Sequence, residues 1–228
     1  MSTQRHRASA VILALVLGCS TAFSAGFTSV DPGMGVIYIP TPDLLDAKGY
    51  LSGGPQQLTN FLAVGSTFTF DGILSWEPGL IFYYGYDLWD EFNGRVLPTE
   101  QSWRTSFTLA FLVRAPVVGT LRFAKVWNLA LGLGPAFNLR YGILASMSEA
   151  DAATAKAEIP KTNNWFYASQ RWFQPETFLR LGYRLTDRVD FYFTALAYWP
   201  AYNLWLKPAM MLDGAIFGGE ISVKSRFE

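Results

Sequence analysis

Large apolar residues alternate with small or polar residues along much of this chain. The pattern is clearest in residues 127–141, WNLALGLGPAFNLRY, where Trp, Leu, Pro, Phe and Tyr occupy the odd positions and Asn, Ala, Gly and Arg the even ones. A period of two is that of a β-strand with two different faces. A helix would spread the apolar residues around its circumference and hold glycine and proline in its interior, which costs free energy. We therefore predict a strand here.

The same alternation predicts further strands along the chain. The clear examples are residues 62–70, 103–114, 177–185, 189–199 and 215–227. Residues 34–40 are a weaker candidate, and residues 79–89 are apolar on both faces, so the facing of that strand is ambiguous. The total is about eight strands, and closed bacterial barrels have an even number.

Charged and amide side chains on these strands fall on the face opposite the large apolar residues. A cation facing lipid near the bilayer midplane costs about 2–4 kcal/mol, so a membrane strand should show this separation. A soluble β-sandwich also alternates, but its polar face would carry Lys, Glu and Thr freely, whereas this face is rich in Gly, Ala, Ser and Arg. A narrow lumen suits that composition better. The predicted lumen-facing residues are Arg104, Arg114, Asn128, Asn138, Arg140, Arg180, Arg184, Asp190, Glu220, Lys224 and Arg226.

The connections between these strands alternate between long and short. The tightest is Thr186–Arg188 and the widest is residues 142–176, in which the Ala-rich residues 148–158 predict a short helix. Aromatic residues lie near strand ends, where Trp and Tyr belong at membrane interfaces. These predicted interface aromatics are Trp103, Trp127, Tyr141, Tyr183 and Trp199. The sequence thus predicts an all-β fold, a closed antiparallel transmembrane β-barrel with short periplasmic turns and long extracellular loops.

The first residues of the chain have the composition of an export signal. Arg5 and Arg7 precede the apolar residues 8–18, and Ala22 and Ser24 are the small residues that a signal peptidase prefers. We expect residues 1–24 to be cleaved and residues 25–228 to form the barrel domain. Alternatively, residues 16–19 loosely resemble a lipobox, which would make the protein a lipoprotein.

Cleavage would remove every His and Cys side chain of the chain. The only histidine (His6) and the only cysteine (Cys19) both lie in the leader. The processed chain would then have no His general base, no thiolate, no disulfide and no Cys/His zinc site. We expect no enzyme, no catalytic residue, no metal and no cofactor. The formal net charge of zero also argues against nucleic acid as a partner.

Three segments resemble the small outer-membrane β-barrels of Gram-negative and spirochaetal envelopes. They are RLGYRLTDRVDFYF (residues 180–193), LALGLGPAF (129–137) and the ending GGEISVKSRF (218–227). Size and strand count are similar to those of the eight-stranded OmpA, OmpX and OmpW types, with OmpW-like favoured. The resemblance implies a bacterial outer-membrane location, contact with outer-membrane lipids, and recognition by the barrel-assembly machinery of the last strand, which ends at Phe227. Barrel enzymes of this membrane use an active-site His, which residues 25–228 lack.

Two features allow more than one functional interpretation. The predicted lumen charges could attract anions, but a plug of paired charges is favoured, because buried charges need partners. The loop 200–212 is apolar, which is unusual for a surface loop. It would be a hydrophobic entrance or, alternatively, an extension of the flanking strands that faces lipid. The candidate entrance residues are Tyr202, Leu204, Trp205, Leu206, Met210 and Met211.

These features lead to two functional hypotheses. One is a narrow conduit for small hydrophobic solutes, as the OmpW resemblance implies. The other is a plugged structural or adhesive barrel whose long loops bind host or neighbouring molecules. The acidic residues 87–100 lack the spacing of an EF-hand and are read as a solvated loop.

The two faces of residues 127–141 predict different tolerance to charge. We expect a charged residue at Leu131 or Leu133 to block assembly of the barrel, and one at Gly132 or Ala136 to do so less, because only the first pair would face lipid. Heat-modifiable migration on a denaturing gel would measure the assembled fraction of each variant. Equal assembly of all four variants would contradict the assigned faces.

Overall fold

A computed structural model describes residues 27–40, 58–91, 93–99, 105–145, 152–206 and 212–227. Strands dominate these residues. The strands are β1 (Phe27–Tyr38), β2 (Thr59–Asp71), β3 (Leu74–Trp76), β4 (Gly79–Asp90), β5 (Arg95–Thr99), β6 (Ser106–Arg114), β7 (Val117–Arg122), β8 (Trp127–Gly134), β9 (Ala136–Ala145), β10 (Glu176–Arg184), β11 (Val189–Tyr198) and β12 (Ile216–Arg226). The helices are α1 (Ala152–Tyr167), a 3-10 turn (Ala168–Gln170) and α2 (Asn203–Leu206).

The strands close into an antiparallel barrel. β1 pairs with β2 on one side and with β12 on the other, and β12 continues through β11 and β10 to β8. The segment pairs β3–β4, β6–β7 and β8–β9 each form one long strand with a break, so the barrel has eight strands. The predicted fold class, a closed antiparallel barrel of eight strands, is confirmed.

Prolines cause the three breaks, and the ladder continues through them. Pro78, Pro116 and Pro135 lie on three successive long strands, and a proline has no N–H to donate. The carbonyl oxygens of these prolines still accept hydrogen bonds from the neighbouring strands. Ser66 donates to Pro78 at 2.9 Å, Glu77 to Pro116 at 3.0 Å and Ala115 to Pro135 at 3.0 Å. The hydrogen-bonded wall of the barrel therefore stays closed at each of the three breaks.

Several predicted boundaries need correction. The first strand begins at Phe27 rather than at residue 34, and the strand predicted to end at Arg114 continues as β7 to Arg122. Pro116 hid this continuation because it interrupts the alternation. The helix predicted over residues 148–158 spans Ala152–Tyr167.

The two ends of the barrel differ. The short turns at residues 72–73, 123–126 and 185–188 lie at one end, here called the turn end, where Phe27 stacks on Phe227 with ring centroids 5.6 Å apart. The long connections lie at the other end, here called the loop end. It carries the β4–β5 hairpin, α1 and α2.

Helix α1 protects a strand edge at the loop end. β10 begins only at Glu176, so the upper part of β9 has no strand on that side. The side chain of Asn163 takes the place of a strand there. Its Oδ1 accepts from the N–H of Gly142 at 2.8 Å, and its Nδ2 donates to the carbonyl of Gly142 at 3.1 Å. The amide pairing covers an edge that could otherwise pair with another chain.

The outer surface of the barrel is apolar and the inner surface is mixed. On β8, Trp127, Leu129, Leu131 and Leu133 are exposed, whereas the residues between them are buried. The ambiguous strand β4 turns Ile81, Tyr83 and Asp87 inward and Leu80 and Tyr84 outward. No helix among the described residues is long and apolar enough to cross a membrane.

The mutational test of the two faces needs a different inward position. A Cβ at Gly132 would lie 2.2 Å from the Phe178 ring, so a side chain there would have to displace that ring and would disturb the barrel for reasons other than charge. Thr120 is the better control, since it lines a cavity and its partner Ala130 directly precedes Leu131. We expect Leu131→Lys to destabilise the barrel by about 2–4 kcal/mol and Thr120→Lys to do so much less.

Urea-induced unfolding in lipid vesicles, followed by tryptophan fluorescence, would measure both variants. Leu131 is 65% exposed on the outer surface. Equal losses of stability would show that this surface does not contact lipid.

Candidate functional site

The middle of the barrel is filled by charged side chains that pair across the lumen. Glu77 lies at the break between β3 and β4, where its Oε2 accepts from Arg180 Nη1 at 2.5 Å and its Oε1 accepts from Lys224 Nζ at 3.2 Å. Lys224 also lies 3.9 Å from Asp31 Oδ2. All four side chains are nearly or fully withdrawn from solvent.

A second set of ion pairs lies beside the first. Arg114 Nη1 is 3.3 Å from Glu220 Oε2 and 3.4 Å from Glu176 Oε1, and Tyr198 donates its hydroxyl proton to Glu176 at 3.1 Å. The Phe178 ring connects the two sets, since its centroid is 5.5 Å from the guanidinium carbon of Arg114 and 4.6 Å from that of Arg180. We call the residues of both sets the ionic layer. They are Asp31, Glu77, Arg114, Glu176, Arg180, Glu220 and Lys224.

The ionic layer closes the lumen. The cavity lined by Asp31, Glu77, Arg114, Arg180 and Glu220 of this layer has a volume of about 20 Å³. This volume holds roughly one water molecule. Its carboxylates and cations nearly balance, as burial of charge requires. A rigid barrel with this layer intact therefore offers no path for a solute.

A smaller ion cluster lies nearer the turn end. Asp190 is fully buried, pairs with Arg226 through its Oδ2 and lies 3.9 Å from Arg184 through its Oδ1. The hydroxyl of Tyr192 donates to the same carboxylate at 3.1 Å. Between this cluster and the ionic layer is a cavity of about 290 Å³, here called the turn-end chamber, which also reaches Thr120 and Arg122.

A second cavity, the loop-end chamber, lies on the other side of the ionic layer. Its volume is about 280 Å³. Its floor contains a chain of side-chain hydrogen bonds, in which Tyr83 donates to Asn138 at 3.0 Å and Asn138 donates to Gln174 at 2.9 Å. Gln174 in turn donates to the carbonyl of Gly214 at 2.9 Å. These bonds tie two barrel strands to the loops above them.

Burial changes the ionisation of groups in the loop-end connections. Removal from water raises the pKa of Tyr202 and of Asp213, since it disfavours their charged forms. The same effect lowers the pKa of Arg171, and the nearby charge of Arg140 acts in the same direction. The loop-end chamber is thus a poorly solvated site that already holds positive charge.

The structure places most of the predicted lumen residues inside the barrel. Arg104 lies outside the described residues. The others are wholly or partly buried on inward-facing positions, namely Arg114, Asn128, Asn138, Arg140, Arg180, Arg184, Asp190, Glu220, Lys224 and Arg226. Arg114 ends the strand predicted over residues 103–114, but it lies in the middle of the lumen because the six residues of β7 extend that strand.

The apolar loop and the interface aromatics are placed as follows. Tyr202 was expected in an exposed apolar cluster, but it is buried and lines the loop-end chamber. Leu204, Trp205 and Leu206 form α2 and are exposed, with Leu204 at 71%. Met210, Met211 and Trp103 lie outside the described residues. The remaining interface aromatics are exposed on the outer surface, at Trp127, Tyr141, Tyr183 and Trp199.

The sequence interpretation missed several acids of the interior. Asp31 and Glu77 precede prolines and lie where the alternation is broken. The solvated loop predicted over residues 87–100 is wrong, because β4 runs to Asp90, β5 spans Arg95–Thr99, and Asp87 and Asp90 are buried. Glu176 was assigned to a loop because it stands one residue before the predicted strand. The sequence signal that could have located Asp31, Glu77 and Glu176 is an acid beside a proline, next to or within a strand. Among the described residues, no cluster of His, Cys, Asp and Glu suits a metal ion.

Comparison with known proteins supports the fold. No protein-family model and no curated protein matches the sequence. The crystal structure of neisserial surface protein A is similar with a TM-score of 0.50 and 10% identity, covering 88% of this chain and 97% of that one. The outer membrane protein OprG from Pseudomonas aeruginosa gives a TM-score of 0.49 and 9% identity, covering 89% and 93%. Ail, the attachment invasion locus protein of Yersinia pestis, gives 0.47 and 10%, covering 89% and 99%. The predicted resemblance to small eight-stranded outer-membrane barrels is confirmed at the level of the fold.

The ionic layer predicts an asymmetry between buried and exposed ion pairs. Glu77→Gln leaves Arg180 and Lys224 without their shared carboxylate, so we expect the free energy of unfolding to fall by about 3–5 kcal/mol. Glu91→Gln, which breaks the exposed pair with Lys161, should change it by less than about 1 kcal/mol. Urea unfolding and refolding in lipid vesicles would compare the two. Equal effects would mean that Glu77 is not electrostatically essential.

Proposed function

We propose that this chain is an outer-membrane β-barrel protein that is closed across the bilayer and acts through its loop end. The single observation that carries this proposal is the ionic layer, in which Glu77, Arg114 and Arg180 leave only about 20 Å³ of free space. Among the two functional hypotheses, a plugged structural or binding barrel is therefore favoured over an open conduit.

The outer surface supports a membrane location. Large apolar side chains are exposed on successive strands around the barrel, including Met34, Leu62, Leu131, Phe193 and Ile221. Soluble monomers rarely expose contiguous apolar patches of more than a few hundred Å². Lipid is the environment that satisfies such a belt, and strands in a closed barrel leave no backbone group unpaired there.

The proposal includes how the protein reaches the membrane. We infer that residues 1–24 direct export and are removed, and that the barrel-assembly machinery recognises the last strand, β12, with Phe227 after it. Mass spectrometry of the protein purified from an outer-membrane fraction tests the first point through the mass of the processed chain. Acylation of Cys19 would instead support the lipoprotein alternative.

A conduit for small hydrophobic solutes is the second candidate. The two chambers have similar volumes, about 280 and 290 Å³, and lie on opposite sides of the ionic layer. The exposed residues Leu204, Trp205 and Leu206 provide an apolar surface beside the loop-end chamber. Passage would require the ionic layer to rearrange, which costs the pairing energy of several buried charges.

Conductance in planar lipid bilayers separates the two candidates. We expect the purified protein to give no discrete current steps above the heat-denatured control. The double variant Glu77→Ala/Arg180→Ala removes one acid and one base of the ionic layer, which widens the lumen and leaves Lys224 with Asp31, 3.9 Å away, as its acid. It should produce measurable steps. Steps of equal size from the unmodified protein would contradict the closed barrel.

A further inference from the structure

The loop-end chamber has an excess of positive charge on its wall. Arg95, Arg140 and Arg171 line it, whereas Asp213 is the acid that lines it among the described residues. Arg95 is neutralised by Asp90, whose Oδ2 lies 3.3 Å from Arg95 Nε. Arg140 and Arg171 have no carboxylate oxygen within 4.0 Å among the described residues. The wall therefore carries about one uncompensated positive charge.

Arg140 packs against aromatic rings and forms no ion pair within 4.0 Å among the described residues. Its guanidinium carbon is 4.1 Å from the centroid of Phe166 and 5.9 Å from that of Trp165. Its Nε is buried and has no hydrogen-bond partner. A buried donor without a partner costs free energy, unless a ligand accepts its hydrogen bond. Asp87 lies outside the chamber wall, on the loop-end side of Arg140 in the strand register, where it lines a small cavity together with Arg140 and partly offsets its charge.

Arg171 is fixed in position beside the same tryptophan ring, that of Trp165. Its guanidinium carbon is 4.3 Å from the centroid of the Trp165 ring. Its Nη1 donates to the carbonyls of Trp165 at 3.4 Å and Ala168 at 3.2 Å. These bonds use one nitrogen of the fork, which leaves the other donors available. The two arginines thus share one ring and are pre-organised on the chamber wall.

The rest of the wall is largely apolar. Val96 and Leu97 of β5 and Ile216 of β12 are buried side chains of this wall, and Leu206 lies at its edge. A ligand site commonly combines such a wall with a few fixed polar groups. An apolar body would fit here, and its charged group would meet the arginines.

We propose that the loop-end chamber binds a small organic carboxylate, whose charged group pairs with Arg140 and Arg171 and whose apolar body lies against Val96, Leu97 and Leu206. This presupposes, as proposed above, that the loop end is the functional face of a closed barrel. A single negative charge matches the excess on the wall. A dianion would be repelled by Asp213, and an uncharged apolar ligand would leave Arg140 Nε unpaired.

Calorimetric titration of the full processed protein in detergent would test this. The probe is 3-phenylpropanoate, and its control is the primary amide of the same acid, which has nearly the same shape and no charge. We expect the carboxylate to bind roughly ten-fold more tightly or better, as loss of a charge-assisted hydrogen bond implies. Sodium sulfate should bind weakly, because it lacks the apolar body.

Variants at the loop end of the barrel test whether Arg171 provides the positive charge that binds the carboxylate. Arg171→Gln should weaken carboxylate binding by about ten-fold and leave amide binding unchanged, while Arg171→Lys should retain most of the preference. Lys161→Gln is the matched control, because it removes an exposed cation of α1 that does not line the chamber. Heat-modifiable migration verifies that each variant is folded.

Three outcomes would overturn the proposal. They are equal affinity for carboxylate and amide, an Arg171→Gln variant that loses both ligands alike, and absence of binding to the unmodified protein. Each is independent of conductance. If the unmodified protein binds neither probe and passes no current, the carboxylate site alone is refuted. If the unmodified protein passes current, the closed barrel is refuted.

Discussion

Burial of charge inside a narrow barrel is the constraint on which the rest of this structure depends. An eight-stranded barrel is just wide enough for its inward side chains to meet. Arg114 and Glu220 lie on strands that are opposite each other around the wall, and they meet at 3.3 Å. Glu77 meets Arg180 and Lys224, which are 103 and 147 residues away in sequence. These pairs connect the wall across the lumen, which the backbone ladder cannot do.

The same constraint explains why the strands could be predicted and the ionic layer could not. Alternation is local, so a strand such as β8 or β11 shows its two faces in its own sequence. Pairing across the lumen depends on closure and register, which a single strand does not contain. Arg180 could be assigned to the interior, but its partner Glu77 could not. The strand that carries Glu77 is interrupted by the next residue, Pro78, so the alternation is broken where the charge lies.

The loop end shows a further limit of local patterns. The helix in the widest connection was expected, but its role at the open edge of β9 was not. That role depends on the early end of the β10 ladder and on the position of Asn163 beside Gly142. Likewise Tyr202 belongs to an apolar run, which predicted exposure, yet it turns into the loop-end chamber. Side chains at loops are placed by tertiary contacts that hydropathy does not encode.

The ionic layer also determines what the chambers can do. A cavity that opens to one side and ends on paired charges can hold a solute but cannot pass it. Because the acids and cations of the layer are largely matched with one another, the layer itself offers Arg140 and Arg171 little compensation. Asp87 and Asp213 offset part of their charge, and the faces of Trp165 and Phe166 attract the two cations without neutralising them. A closed barrel and an excess of positive charge on the wall of its loop-end chamber are therefore two consequences of one arrangement of charge.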